Sequence, residues 1–136
     1  MKAAHWVPRS CLTALVQAAL CFPAQAFDLK GAWATEGDIC PKIFVKTAKT
    51  ITFKDDSEDQ GKGFIIDGNV VRGQRLKCVI KSMKEKGAET NVIASCATEI
   101  MVDQVRLTFK AIDENRIARV FAGIGGFESN YVRCQL

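Results

Sequence analysis

The sequence predicts an all-β protein: a small antiparallel up-and-down barrel of about eight to ten strands, stapled by two disulfides. A two-sheet β-sandwich is the alternative, since either arrangement hides the edges of such a sheet. Three observations predict this class. Segments 50–54 and 102–112 alternate apolar and polar residues with period two, which marks half-buried strands. Turn residues interrupt the chain at short intervals, as at Asp67-Gly68-Asn69 and Asp113-Glu114-Asn115. Four cysteines, an even number, remain after the first 26 residues, which suits a small exported domain.

Residues 1–26 have the three parts of a secretory signal peptide. Lys2 and Arg9 form a basic start, residues 11–22 are apolar apart from Thr13 and Gln17, and Ala24-Gln25-Ala26 supplies the small residues of a cleavage site. An uncleaved anchor is the rival reading, but the run is shorter than the roughly 20 residues a spanning helix needs. Leu20, rather than a small residue, precedes Cys21, which argues against a lipoprotein. Cleavage after Ala26 leaves 27–136 as a single barrel domain, periplasmic or secreted, with no membrane insertion expected. Lys2 and Arg9 leave with the signal, so of 19 basic and 15 acidic residues an excess of only two positive charges remains. That balance gives no reason to expect nucleic acid as a partner.

Element by element, Gly31-Ala32-Trp33 opens the first strand. Segment 42–46 follows, with Ile43 and Val45 on one side, then 50–54 with Ile51 and Phe53 on one side. Segments 63–66 and 70–72 flank Asp67-Gly68-Asn69, and Asp-Gly between β-branched runs is a strong hairpin signal because both residues tolerate positive φ. The stretch 76–98 reads as two arms around a polar turn at 84–88. Cys78 and Cys96 each lie nine residues from Gly87, which places them opposite one another in an antiparallel pair. Leu76, Cys78 and Ile80 share a face of one arm; Val92, Ala94, Cys96 and Thr98 share a face of the other. In 102–112, Val105, Leu107, Phe109 and Ala111 point one way. Segment 116–122 is a further strand, Gly123, Gly125 and Gly126 loosen the next connection, and 130–135 closes the chain. Cys78–Cys96 leaves Cys40–Cys134, which ties an early strand to the last; Cys40–Cys78 with Cys96–Cys134 is the competing pairing.

Gly31-x-Trp33 near the start of the mature chain, followed by a meander of this length, resembles the lipocalin-like (calycin) small secreted barrels. That resemblance implies that Gly31 and Trp33 plug one end of the barrel. Trp33 as an ordinary core aromatic is the plainer reading. Gly-x-Trp followed by Cys40 is also similar to small periplasmic barrels that inhibit secreted metalloproteases. Those proteins block the protease cleft with residues ahead of the motif; here only 27–30 precede it, and there are two more cysteines. The whole chain resembles uncharacterised exported proteins of alphaproteobacteria, which implies no activity.

The one histidine, His5, lies in the signal segment, so 27–136 hold no histidine-based catalytic machinery or metal ligand. With all four cysteines oxidised there is no thiol nucleophile. The expectation is therefore no enzyme, no cofactor and no metal. Asp55-Asp56-Ser57-Glu58-Asp59 is oxygen-rich enough to hold calcium, but its spacing is not that of an EF-hand, and a polar loop is the simpler reading. Lys77, Lys81, Lys84 and Lys86 with Arg75 line the hairpin, either as a solvated face or as a strip for an anionic partner. Ile124 and Phe127 in the glycine loop, with Tyr131 beyond it, form a candidate contact loop at a barrel mouth. Ser129-Asn130-Tyr131 also resembles the Ser/Tyr contact loop of bacterial lysozyme inhibitors. Two functions follow: a non-catalytic binding module, inhibitor-like, acting on a protein partner; or a carrier of a small apolar ligand inside the barrel. A carrier requires roughly 300 Å³ or more of internal space, whereas a filled barrel points to surface recognition.

Overall fold

The computed structural model describes residues 26–123 and 125–136, so the expected signal segment lies outside the described residues except for Ala26. Ten strands follow in order: β1 (Gly31–Ala34), β2 (Phe44–Thr47), β3 (Thr50–Phe53), β4 (Gly63–Asp67), β5 (Val70–Arg72), β6 (Lys77–Lys86), β7 (Glu89–Ala97), β8 (Val102–Asp113), β9 (Arg116–Phe121) and β10 (Phe127–Arg133). A 3-10 turn, Gly37–Ile39, runs into the one-turn helix α1 (Cys40–Ile43). Eight strands close a barrel in which β4 to β10 pair in sequence and β1 joins β10 to β4. Every pairing is antiparallel. The architecture is thus an up-and-down barrel with one insertion: β2 and β3 pair only with each other. Closure leaves no sheet edge in the barrel.

The cysteine hairpin reaches its register in two steps. Its turn is Gly87-Ala88, with Lys86 opposite Glu89. Gly87 takes a positive φ of 61°, a conformation natural to glycine in a two-residue hairpin turn. Extended without a break, this register would set Cys78 against Ala97. A bulge between Ile80 and Ser82 inserts one residue on β6, and below it Cys78 faces Cys96. The bridge forms there, with Cα atoms 3.9 Å apart. Symmetry about Gly87 therefore named the right partners, although the turn is centred half a residue further on and the bulge makes up the difference.

Alternation divides the apolar residues into two cores. Inward-facing residues, among them Trp33, Phe64, Ile66, Val71, Val92, Leu107, Phe109, Ile117 and Tyr131, fill part of the barrel. Outward-facing Ala32, Ala34 and Ile65 meet Ile39, Cys40, Ile43 and Phe44, so α1 and the β2–β3 hairpin lie against the outside of β1 and β4. Contact there is close: a Cβ on Gly63 would come within 2.6 Å of the Trp33 carbonyl oxygen and 2.8 Å of Ile43 and Phe44.

Two expectations are corrected by this outer layer. Lys42 and Ile43 were expected in a strand but are helical, because Pro41 at the first helical positions fixes a helix-compatible φ; one turn is too short to show helical periodicity. Cys40 accordingly lies in α1, not in a strand. Cys40–Cys134 pins this outer layer to the end of β10, with Cα atoms 5.6 Å apart. Closure itself is made by backbone pairing of Trp33 with Arg133 and Ala34 with Val132, continued by Cys134 N–H donating to the Ala32 carbonyl at 2.8 Å.

Candidate functional site

The meander sends alternate connections to opposite ends of the barrel. Residues 27–30 and the tight turns 68–69, 87–88 and 114–115 gather at one end. At the other lie the long insertion 35–62 and the connections 73–76 and 98–101, with residues 122–123 and 125–126.

The first end is closed. Trp33 has no exposed surface, and its indole N–H donates to the Leu29 carbonyl at 2.9 Å. Arg133 lies over the indole with its guanidinium carbon 4.3 Å from the ring centroid. The same guanidinium donates to the carbonyls of Lys30, of Asp28 at 2.6 Å and of Glu114 at 3.1 Å. Gly31 allows this arrangement: its φ is 135°, and a Cβ there would stand 3.2 Å from the Arg133 guanidinium. The sequence reading had passed over Arg133.

The second end is open. A cavity of about 520 Å³ enters the barrel there. Its apolar wall is Phe64, Val71, Val105, Leu107, Phe109 and the Cys78–Cys96 bridge, with Tyr131 among them. Eight strands give an interior that side chains either fill or leave free for one small ligand, and this barrel does the first at one end and the second at the other. Glu58, Asp59, Lys62, Gln74 and Arg75 stand at the mouth, and Arg119 reaches the cavity from β9. Gln74 donates to the carbonyls of Ser57 at 3.0 Å and Gly61 at 2.9 Å, which fastens connection 73–76 to the insertion. Arg75 is ion-paired with Glu58. That hydrogen bond holds the Glu58 carboxyl below its usual range and raises Arg75.

Arg119, like Arg133, is not among the candidate residues singled out from the sequence pattern. Its signal was present, since Ile117, Arg119 and Phe121 share one period-two face and an arginine on an apolar face is out of pattern. The register puts Arg119 opposite buried Phe109 and opposite Ser129, so it faces inward. Its guanidinium carbon lies 4.4 Å from the Phe121 ring centroid.

The candidate contact loop is split. Ile124 lies outside the described residues. Phe127 begins β10, is 60 % exposed and lies against the Phe121 ring with centroids 5.8 Å apart. Tyr131, expected with the loop, belongs to β10, where its pairing with Ile117 turns it into the barrel beside Phe64. The rim carries further apolar surface at Ile100, which is 95 % exposed, and at Met101 and Val102. Segment 55–59 forms a turn and the 3-10 helix Ser57–Gln60, and among the described residues no three His, Cys, Asp or Glu side chains converge as metal ligands do. Also among the described residues, no helix is long and apolar enough to cross a membrane.

Comparison with protein-family models, with curated proteins and with solved structures finds no match.

Proposed function

We propose that this protein carries a small apolar ligand in the open end of its barrel. The cavity carries the reading: about 520 Å³, within the roughly 300–1,000 Å³ of ligand pockets. Its walls are aliphatic and aromatic, so a ligand entering it leaves water, which contributes about 25 cal/mol per Å² of apolar surface removed. The role is binding without catalysis; supporting this, 27–136 hold no histidine and the four cysteines there are paired. A periplasmic or secreted location is part of the proposal, supported by the two disulfides, which persist in oxidising compartments. The closed end at Gly31-x-Trp33 agrees with the resemblance to lipocalin-like barrels.

The test is fluorescence titration with N-phenyl-1-naphthylamine, a neutral apolar probe that brightens on leaving water. The wild-type protein is expected to bind it saturably. Leu107→Trp, which puts a large ring into the cavity, is expected to abolish binding while circular dichroism stays native. Absence of binding by the wild type, or equal binding by both proteins, overturns the reading.

The exposed rim favours a second reading, an inhibitor-like contact with another protein through Ile100, Met101 and Phe127. Replacing these three residues with serine would then remove a cross-linked protein partner and leave probe affinity unchanged. Loss of probe affinity instead would place them in the ligand path.

A further inference from the structure

We infer that the ligand is a single-chain amphiphile with a carboxylate head, bound by Arg119 in the cavity. This rests on the carrier reading above. Arg119 lies on the inward face of β9, between Ile117 and Phe121 on its own strand, with Phe109 and Ser129 beside it on the neighbours. Among the described residues it makes no salt bridge, and its side chain has no hydrogen-bond partner. The contact with Phe121 orients the guanidinium but leaves its five N–H donors unused, because a ring face accepts no conventional hydrogen bond.

The other inward arginine shows what a purely structural role looks like in this fold. Arg133 donates to three carbonyls and covers Trp33. Arg119 has no such set, and it faces a cavity instead of a packed core. A ligand that fills the cavity takes this half-buried cation further out of water, which is costly without a partner, so the position favours a ligand that brings an anion. Of the two carboxylates at the mouth, Glu58 is paired with Arg75 and Asp59 acts on the same Arg75, and neither forms a salt bridge with Arg119.

Geometry selects the ligand's shape. In a ring of eight strands, β5 is diametrically across from β9, and it contributes Val71 to the cavity. The Cys78–Cys96 bridge stands beside Val71, and Val105 and Leu107 continue the wall from β8, next to β9. A ligand with its head at Arg119 therefore lays its tail on an apolar wall. The guanidinium fork matches a carboxylate through two parallel N–H···O bonds.

Isothermal titration calorimetry with dodecanoate and dodecanol, on delipidated protein and below micelle formation, tests the inference. The wild type is expected to bind dodecanoate roughly ten- to a hundredfold more tightly than dodecanol, the range of a charged hydrogen-bonded pair. Arg119→Gln is expected to remove that preference while dodecanol affinity holds, and Arg119→Lys to keep part of it. Added salt should weaken dodecanoate binding alone. Equal wild-type affinity for the two compounds, or a preference that survives Arg119→Gln, overturns the anion assignment and leaves the carrier reading intact. Binding of neither compound by the wild type overturns both. The wild-type comparison decides the matter even if the variants fold poorly.

Discussion

The two ends of this barrel are built from the same eight strands and treat an inward arginine in opposite ways. At the closed end Arg133 lies on Trp33 and donates to three backbone carbonyls, so its charge is absorbed by the chain's own dipoles. At the open end Arg119 touches an aromatic ring and borders empty space. The difference follows from what lies opposite. Residues 27–30 fold under the closed end, where Phe27 and Leu29 join the core and their neighbours' carbonyls point at Arg133. Among the described residues nothing comparable covers the other end, where the long insertion packs on the outside of β1 and β4 and brings only Glu58, Asp59 and Lys62 to the mouth. One end is packed and the other holds a cavity.

The largest expected effect is at the packed end. Trp33→Ala removes a side chain with no exposed surface and should cost about 3–5 kcal/mol in urea unfolding. Leu107→Ala, on the wall of the cavity, should cost about 2 kcal/mol, the low end for such a change, because its neighbours already lack packing on one side. Equal costs would contradict the contrast between a filled end and an empty one.

The disulfides sharpen the comparison next, since one bridges to the chain end beyond β10 and the other lines the cavity. Cys40–Cys134 spans a sequence separation of 94 and Cys78–Cys96 one of 18. Loop-closure entropy makes the longer bridge worth about 1.4 kcal/mol more, so replacing Cys40 and Cys134 with serine should lower stability further than replacing Cys78 and Cys96. Denaturant midpoints of the two double variants check the order. Arg119→Leu is a smaller test: it removes a charge that the fold does not use and is expected to leave stability within about 0.5 kcal/mol. A loss several times larger would make Arg119 structural.

The smallest effect concerns acid. Glu58 is held below its usual range by Arg75, and Asp113 by Arg116 and then by the Asn115 backbone N–H. A carboxylate whose folded pKa is depressed contributes stability that is present above its unfolded pKa and is lost as pH falls through the folded value. Both groups are at the surface, so unfolding midpoints should decline gently below about pH 4, and Glu58→Gln should flatten part of that decline. A rise in stability on acidification would contradict these pairings.

Much of the barrel was legible because its physics is local. Alternation in 102–112 and the turn residues at 67–69 and 113–115 report strands and reversals directly, and β8, β9 and their turn follow them. The helix at Cys40 was not legible, because one turn carries no period and Ile43 and Val45 mimic a strand. The bulge at Lys81 was invisible for a related reason: a one-residue shift changes register without changing composition. Arg119 was legible in principle as the charged residue on the Ile117–Phe121 face. What the sequence could not show is the cavity, which depends on what fails to pack above Phe109 rather than on any motif.

The central claim is that the chain encloses a ligand at one end only. Amide and indole NMR shifts during titration with dodecanol test it most directly, because a neutral ligand probes the cavity independently of Arg119. Signals of Val71, Val105, Leu107, Phe109 and Tyr131 are expected to move together toward one saturable end point, while the Trp33 indole N–H and the Arg133 amide stay fixed. Shifts confined to the Trp33 end, or no saturable shift in the cavity residues, would contradict the account.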